Sequence, residues 1–565
     1  MAIETAAISG QRRLPLLTTA SSTTLAHRVS RVEGRHNFSN PTRPSSMALN
    51  QTMPARIQMS SAMLITPDQI PIASELIDGH WLASYITKPD PISTVDLTEI
   101  LKTIENTINI TFYESGGIPA STNQASEYRD GSWRRDDAIM AIAMLLAANL
   151  ETERSGDRQE LIQRAKQELI AMAKYDNTPF HRGQFTSFLF LNNRGLAKEK
   201  FRTDIQGLPR AKYSIDANGA LGEYYDWGHH QLDGLGTSLF AYFHAANQGF
   251  IELKDIDKVL TEQNPENGAD SLFSVALHFL HEIEYWDQID VGPWESFPAH
   301  KRASSVGICL AAFKEAKKYF DDRGWELEKT ITVNSNVNLK QILEEGIRNG
   351  EAVINERIPS DGKLAVETDQ IPSDSALALL LLLNPGLNEA QENAILQRVY
   401  ENIGEYGIRR MGDEIDAFMG ENYALNPNGR GKWSVIYPGH KAAQWTLFDP
   451  ILATHYYRKF IKSGGNDENS FNLADKHFKR TLSQITKHDY QIEQFINPLE
   501  KRTVEIPAGI LPEARWKRKD EHGETWLPNT NSPLQMAHGV FAIMMAEATR
   551  AIELKESGAE HALAA

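Results

Sequence analysis

The chain has 565 residues, of which 41% are hydrophobic and 23% are charged, and its formal net charge is −16. This composition is typical of a globular protein with an ample core. The acidic charge argues against nucleic acids and anionic membranes as main partners, because both attract basic surfaces. No stretch reaches the roughly eighteen apolar residues of a membrane-spanning helix. A neutral substrate fits this composition better.

The first 60 residues differ in composition from the rest of the chain. They are rich in Ser, Thr and Arg, poor in acidic residues, and contain no continuous apolar segment of the kind found in secretory signals. Residues 1–60 are therefore expected to be a disordered extension or an organelle transit peptide. The protein would then be intracellular, either cytoplasmic or organellar. We expect an arm at 61–94, one domain at 95–555 and a tail at 556–565.

Helical periodicity dominates the region after residue 94. Apolar residues recur three and four positions apart in about twelve windows, with little strand signal between them. These windows are 95–109, 136–151, 157–174, 232–248, 268–284, 302–320, 337–350, 373–384, 389–403, 441–460, 468–486 and 533–553.

Short and long connections alternate between these predicted helices. The long ones, at 175–231, 285–301, 404–440 and 487–532, contain Gly, Trp, Tyr and charged residues. Long connections without regular structure are uncommon in compact domains unless they are functional. The pattern predicts an all-α fold, an (α/α)6 toroid of six helical hairpins whose long loops form a pocket at one end. A helical solenoid for protein binding is the alternative, but the sequence has no repeat of fixed period.

Polar residues that could bind a sugar precede two of the predicted helices. Arg135 and Asp136 stand at the start of the second helix, where a fork of donors beside an acceptor suits sugar hydroxyls. A helix cap with surface charge is the alternative. Before the fourth helix, Trp227, Gln231 and Asp233 combine an indole face with an amide and a carboxylate. These three residues could instead form the edge of the core.

The adjacent histidines His229 and His230 do not predict a metal site. Two histidines that bind one metal from a helix are usually spaced four residues apart, and these two are consecutive. We therefore predict no bound metal.

Two loop carboxylates are candidates for acid–base catalysis. Glu295 follows Trp294 after a Gly-Pro break, and an indole that excludes water can keep a carboxyl group protonated. Glu513 lies between Pro512 and a nearby aromatic residue, shortly before the last helix. On opposite sides of a toroid mouth, two such groups would form an acid and base pair. The alternative is that both are ordinary exposed loop acids.

Four motifs, each weak alone, resemble those of glycoside hydrolase family 15, the glucoamylase family, in the same order. They are Trp133–Asp136, Trp227–Gly234, Pro293–Glu295 and Leu511–Glu513. The resemblance is closer still to the glucoamylase-like domain in the regulatory subunits of phosphorylase kinase, which also contains stretches like Ala303–Gly307 and Gln444–Trp445.

This resemblance implies a six-hairpin toroid that hydrolyses α-glucosidic bonds with inversion and without a cofactor, releasing glucose from the non-reducing ends of α-glucans or α-gluco-oligosaccharides. Glu295 would be the general acid and Glu513 the general base. The implied substrate-binding residues are Arg135, Asp136, Trp227, Gln231, Asp233, Trp294 and Trp445.

Two positions depart from the family pattern. Ser296 replaces the second acid after the tryptophan, and His230 replaces a proline. A catalytically silent, glucan-binding regulatory protein therefore remains an alternative to a hydrolase. A toroid with other chemistry, such as a polysaccharide lyase, is a third alternative, although a lyase for acidic polymers would need a more basic cleft.

Overall fold

The computed structural model describes most of the chain after residue 65 and one short segment before it. The described residues are 11–15, 66–104, 109–113, 115–123, 126, 128–150, 156–204, 207–216, 220–223, 230–264, 271–293, 301–323, 338–358, 375–409, 443–497, 500–520 and 523–564.

Within these ranges the chain forms seventeen α-helices. They are α1 (Ser74–Ile77), α2 (Ala83–Ile86), α3 (Thr94–Ile104), α4 (Arg134–Ala148), α5 (Gly156–Asp176), α6 (Pro179–Leu189), α7 (Arg194–Thr203), α8 (Leu232–Asn247), α9 (Leu253–Gln263), α10 (Leu272–Glu282), α11 (Ala303–Arg323), α12 (Leu339–Arg357), α13 (Ala378–Leu383), α14 (Glu389–Glu401), α15 (Phe448–Lys462), α16 (Glu468–Gln484) and α17 (Gln535–Ala564).

Six of these helices pack side by side in a closed ring. In order they are α4, α8, α11, α13, α15 and α17, and α17 returns to pack against α4. Further helices cover the ring from outside: α5 packs on α4, α12 on α11, α14 on α13, α16 on α15 and α3 on α17, while α10 packs on α12. Inner and outer helices alternate along the chain. This confirms the predicted all-α (α/α)6 toroid.

The residue patterns of the helices explain which ones are inside. Nearly every residue of α4 and α8 is buried, as expected for a helix that is apolar on all sides and surrounded by others. Outer helix α3 instead buries one stripe, formed by Leu97, Ile100 and Ile104. Inner helices also approach closely, since a Cβ atom on Gly236 of α8 would lie 3.0 Å from the backbone nitrogen of Cys309 in α11. None of the described helices is both long and apolar enough to cross a lipid bilayer.

Four short antiparallel sheets accompany the ring of helices in the described part of the chain. The strands are β1 (Gln11–Pro15), β2 (Asn109–Tyr113), β3 (Gly131–Trp133), β4 (Lys212–Ile215), β5 (Leu221–Gly222), β6 (Gln444–Trp445), β7 (Tyr490–Asn497), β8 (Glu500–Ile506), β9 (Ala514–Asp520) and β10 (Gly523–Pro528). β1 pairs with β2 and β7 with β8, while β3-β4-β5 and β10-β9-β6 form three-stranded sheets.

The segment before α3 packs onto the ring. Leu82 and Ile86 are buried in the main core. Lys479 of α16 donates from Nζ to the carbonyl oxygens of Lys88, at 2.8 Å, and Asp90, at 2.7 Å. Of residues 1–60, only 11–15 are described, and they form β1. The arm at 66–93 is therefore attached to the toroid by apolar burial and by hydrogen bonds.

The prediction that the connections 175–231 and 487–532 lack regular structure is wrong. The first contains α6, α7, β4 and β5, and the second contains β7 to β10. In α6 the buried residues include His181, Arg182 and Gln184, and these polar residues interrupt the apolar periodicity that would predict a helix. The β7–β8 hairpin has only a small apolar cluster of its own, which gives a weak strand signal.

One helix was missed although its signal is present in the sequence. In α9 the buried residues Leu253, Ile256 and Leu260 follow helical spacing. Two other predicted connections are described only in part, since residues 294–300 and 410–442 are not among the described residues.

Candidate active site

The described candidate residues precede or begin inner helices. Arg135 and Asp136 lie in the first turn of α4, Gln231 directly precedes α8 and Asp233 is its second residue. Trp445 ends β6 just before α15, and Glu513 precedes the two strands that lead to α17. Hydrogen bonds described below join the starts of neighbouring inner helices, so these residues lie at one end of the ring. Trp227, Trp294 and Glu295 lie outside the described residues.

Arg135 links three parts of this end. Its Nη1 atom donates to Oδ2 of Asp233 at 2.8 Å and to the carbonyl oxygen of Pro293 at 3.1 Å. Its Nε atom lies 3.4 Å from Oδ1 of Asp136. One guanidinium thus connects the starts of α4 and α8 with the residue before Trp294. The Arg135 side chain keeps 12% of its surface exposed, whereas that of Asp233 keeps none.

The carboxyl groups around Arg135 have perturbed acidities. Burial raises the pKa of Asp136 to about 6, although Arg135 opposes this change, and Asp233 adds to it. Burial and the charge of Asp233 also raise the pKa of Asp290 to about 7. Crowded buried carboxyls favour protonated forms because ionising each one costs more beside another negative charge. This end of the ring can therefore hold protons near neutral pH.

Asp290 is a site residue that the sequence analysis missed. It is fully buried, and its Oδ2 accepts hydrogen bonds from the Leu232 backbone N–H at 3.1 Å and from the Ser305 hydroxyl at 2.7 Å. The next residue, Val291, donates its N–H to the carbonyl oxygen of His230 at 2.8 Å. The only available sequence signal was an aspartate shortly before the Gly-Pro-Trp-Glu stretch. Its partners lie far away along the chain, which hides its role from sequence reading.

Glu513 is held by its own neighbourhood near the end of the chain. Its backbone N–H donates to Oγ of Ser532 at 3.0 Å, and its carbonyl oxygen accepts from the Thr446 N–H at 3.1 Å. The side-chain amide of Asn529 donates to Oε2 of Glu513. Glu513 is half-buried. These contacts fix the orientation of the carboxylate just ahead of α15 and α17.

Trp445 lies beside Glu513. It pairs with Ala514, the residue after Glu513, in the β6–β9 ladder, and its ring centre lies 6.2 Å from that of Trp516. Backbone hydrogen bonds with Ile408 at 2.8 and 2.9 Å hold the other edge of Trp445. The backbone pairing thus places Trp445 next to the residue that follows Glu513, with the ring of Trp516 close to its own.

The segment 115–123 connects two groups of residues: Glu513 with Trp445, and Arg135 with Asp136 and Asp233. Asn123 donates from Nδ2 to the carbonyl oxygen of Ser532 at 3.0 Å, beside Glu513. Ala120 donates its N–H to the carbonyl oxygen of Gly131 and accepts from the N–H of Gln535, both at 2.8 Å. Gly131 begins the strand that leads into α4. The two groups therefore flank the same junction, between the starts of α17 and α4.

His230 has a structural hydrogen bond. Its Nε2 atom donates to the carbonyl oxygen of Phe201 at 2.5 Å, and burial lowers the pKa of the imidazole. His229 is outside the described residues. In the part of the chain that is described, no group of three or more His, Cys, Asp or Glu residues is arranged to hold a metal ion.

No protein-family profile and no curated protein match this chain. Among solved structures, it is similar to a glucoamylase from Saccharomycopsis fibuligera, with 14% identity, coverage of 87% of this chain and 98% of that chain, and a TM-score of 0.45. It is also similar to a glycoside hydrolase family 15 glucoamylase from Hypocrea jecorina, with 14% identity, coverage of 77% and 67%, and a TM-score of 0.44.

A third similar structure is a wild-type glycosidase, with 17% identity, coverage of 84% of this chain and 98% of that chain, and a TM-score of 0.46. The toroid follows from how the helices of this chain pack.

Proposed function

We propose that this chain is an inverting glycoside hydrolase that releases glucose from the non-reducing ends of α-glucans or α-gluco-oligosaccharides. One observation carries the proposal: the Arg135–Asp136–Asp233 group and the Glu513–Trp445 group flank one junction at the end of the ring where inner helices begin. The end of a neutral sugar chain would fit such a mouth, because hydrogen-bond acceptors, a guanidinium and an indole lie there together.

The proposed mechanism uses two carboxyl groups. Glu295 protonates the departing glycosidic oxygen, while Glu513 takes a proton from a water molecule that attacks the opposite face of the sugar. Inversion requires the two groups to be about 6.5 to 9.5 Å apart, so that the water fits between them. A crystal structure with a separation above about 12 Å would contradict this pairing.

The remaining residues would hold the sugar. Arg135 and Asp136 would grip the terminal glucose, because a guanidinium donates and a carboxylate accepts hydrogen bonds from hydroxyl groups. Indole faces stack on pyranose rings, and amide and carboxylate groups bind their rims. The proposed wall and rim residues are Trp227, Trp294, Trp445, Gln231 and Asp233. For Glu513, the Asn529 contact supports the role of base, since an oriented carboxylate needs no rearrangement before it acts.

The test is glucose release from maltose, isomaltose and soluble starch by the purified full-length protein. We expect glucose from at least one of them, and at least a hundredfold loss of kcat, the scale of acid–base catalysis, in Glu295→Gln and in Glu513→Gln. Glu505→Gln, a change to an exposed glutamate on β8, serves as the matched control and should keep wild-type activity. Full activity in either of the first two variants would reject that residue's assignment.

Ser296 favours a second candidate, a catalytically silent glucan-binding protein related to the phosphorylase kinase regulatory subunits. Such a protein would bind maltose or glucan measurably by calorimetry and release no glucose from any of the three substrates. Release of glucose by the wild type would exclude this candidate.

A further inference from the structure

The segment from Asp290 to Pro293 leads directly into Trp294 and Glu295, and it is attached to three inner helices. Arg135 of α4 donates to the Pro293 carbonyl oxygen at 3.1 Å. Val291 donates to the carbonyl oxygen of His230, just before α8, at 2.8 Å. Asp290 itself makes the remaining attachments.

The Asp290 carboxyl group joins the starts of α8 and α11. Both described hydrogen bonds go to the same oxygen, Oδ2, from the N–H of Leu232 at 3.1 Å and from the hydroxyl of Ser305 at 2.7 Å. The other oxygen, Oδ1, is buried and has no hydrogen-bond partner among the described residues. The same holds for Oδ1 of Asp233. A buried polar atom without a partner is costly, so this arrangement calls for a proton.

The charges around Asp290 also favour a proton on its carboxyl group. Burial raises the pKa of Asp290, Asp233 on α8 raises it further, and Arg302, ahead of α11, opposes the change. Cys309 of α11 is a further titratable neighbour, and burial beside Asp290 and Asp233 raises the pKa of its thiol. Arg135 is already bonded to Asp233 through Oδ2. A proton on Asp290 removes the repulsion between the two buried carboxylates.

We propose that Asp290 is a positioning residue that acts in its protonated form, holding the segment that leads to Glu295 against the starts of α8 and α11. Its effect on turnover rests on the proposed function, whereas the positioning does not. Nothing in the proposal requires Asp290 to touch the substrate.

Two substitutions separate a protonated carboxyl group from an ionised one. Asp290→Asn keeps an acceptor oxygen for Leu232 and Ser305 and replaces the O–H with an N–H donor that cannot ionise. Asp290→Ala removes both functions. Ser305→Ala removes one of the two donors and guards against a variant that fails to fold. Asp475→Asn is the matched control, because Asp475 is also buried, with a raised pKa, and accepts from the N–H of Ile92 elsewhere in the fold.

Amide hydrogen exchange at Val291 and Leu232 measures the positioning in the full-length protein. At pH 6 we expect Asp290→Asn to exchange as the wild type does, Asp290→Ala to exchange about tenfold faster or more, and Ser305→Ala to fall between them. At pH 8, after correction for intrinsic rates, the wild type should loosen and Asp290→Asn should not. Asp475→Asn should leave both amides unchanged. Equal acceleration in the Asn and Ala variants, or none in either, would overturn the proposal.

Glucose release then tests the consequence for turnover. We expect Asp290→Ala to lower kcat about a hundredfold with a smaller change in KM, because a displaced catalytic group lowers the rate more than binding. Asp290→Asn should keep kcat and extend the activity to higher pH. A wild type that releases no glucose would reject the proposed function, while the exchange data would still decide the positioning. Full kcat in Asp290→Ala would overturn the link to turnover.

Discussion

Replacing Arg135 with methionine should destabilise the fold by removing the cation that the buried carboxyl groups of Asp136 and Asp233 share. The Asp233 side chain is fully buried and would lose its donor at 2.8 Å. Asp136 would lose its ion pair at 3.4 Å, and the Pro293 carbonyl oxygen its donor at 3.1 Å. Removing one partner of a buried ion pair typically costs about 3–5 kcal/mol, because the other charge stays buried without compensation.

This cost should depend on pH in a defined direction. Burial raises the pKa of Asp136 and Arg135 opposes that change, so without the guanidinium the folded-state pKa of Asp136 rises further. A carboxyl group whose folded pKa lies above its unfolded value contributes stability at low pH and loses it as pH rises through the folded pKa. The loss of stability in Arg135→Met should therefore be larger at pH 7.5 than at pH 5.

The assay is urea-induced unfolding, followed by circular dichroism at both pH values. Arg129→Met is the control, since Arg129 is 42% exposed and its ion pair with Asp130 at 3.0 Å is expected to contribute about 1 kcal/mol or less. A loss below about 1 kcal/mol for Arg135→Met at pH 7.5, or a larger loss at pH 5, would refute the reasoning about this buried cluster.

Three further predictions concern the same end of the ring. Asp136→Asn should flatten the pH dependence of stability between about pH 4 and 6, where the wild type loses about 2–3 kcal/mol as this carboxyl ionises; identical urea midpoints against pH in both proteins would contradict it. Asn529→Ala should lower kcat about tenfold with little change in KM, because Glu513 loses its amide donor, and unchanged kcat would contradict that support. Trp445→Ala should raise the KM for maltose by about tenfold or more, as expected for loss of a stacking face, and an unchanged KM would argue against a wall at this position.

The ring could be predicted from the sequence because each of its helices has a local pattern. The Ala- and Met-rich run of α4 and the single apolar stripe of α3 are visible without knowledge of their neighbours. The predicted windows for α4 and α8 agree with the helices to within a few residues at both ends. The window that covers α15 agrees at its end but begins several residues before the helix does. Tertiary contacts set those ends.

The features that the sequence did not predict concern polar residues that are buried together with their hydrogen-bond partners. In α6, His181 and Arg182 are buried and bond to the side chains of Gln184 and Asn177, so polar residues occupy positions where a helical pattern predicts apolar ones. For Arg135, the sequence suggested sugar binding but could not show the contacts with Asp233 and Pro293, which lie far along the chain. Asp290 was not recognised for the same reason, since its partners come from the starts of two other helices.

The most direct test of the central claim is the anomeric configuration of the first product. The wild-type protein is mixed with soluble starch in an NMR tube, so that the released glucose comes from non-reducing ends, and its anomeric protons are followed before mutarotation mixes them. An inverting hydrolase acting on an α-glucosidic bond releases β-glucose first, and Glu295→Gln should release none. Initial α-glucose would contradict the inverting pair of Glu295 and Glu513, and the absence of glucose from maltose and from starch would contradict the proposed hydrolase.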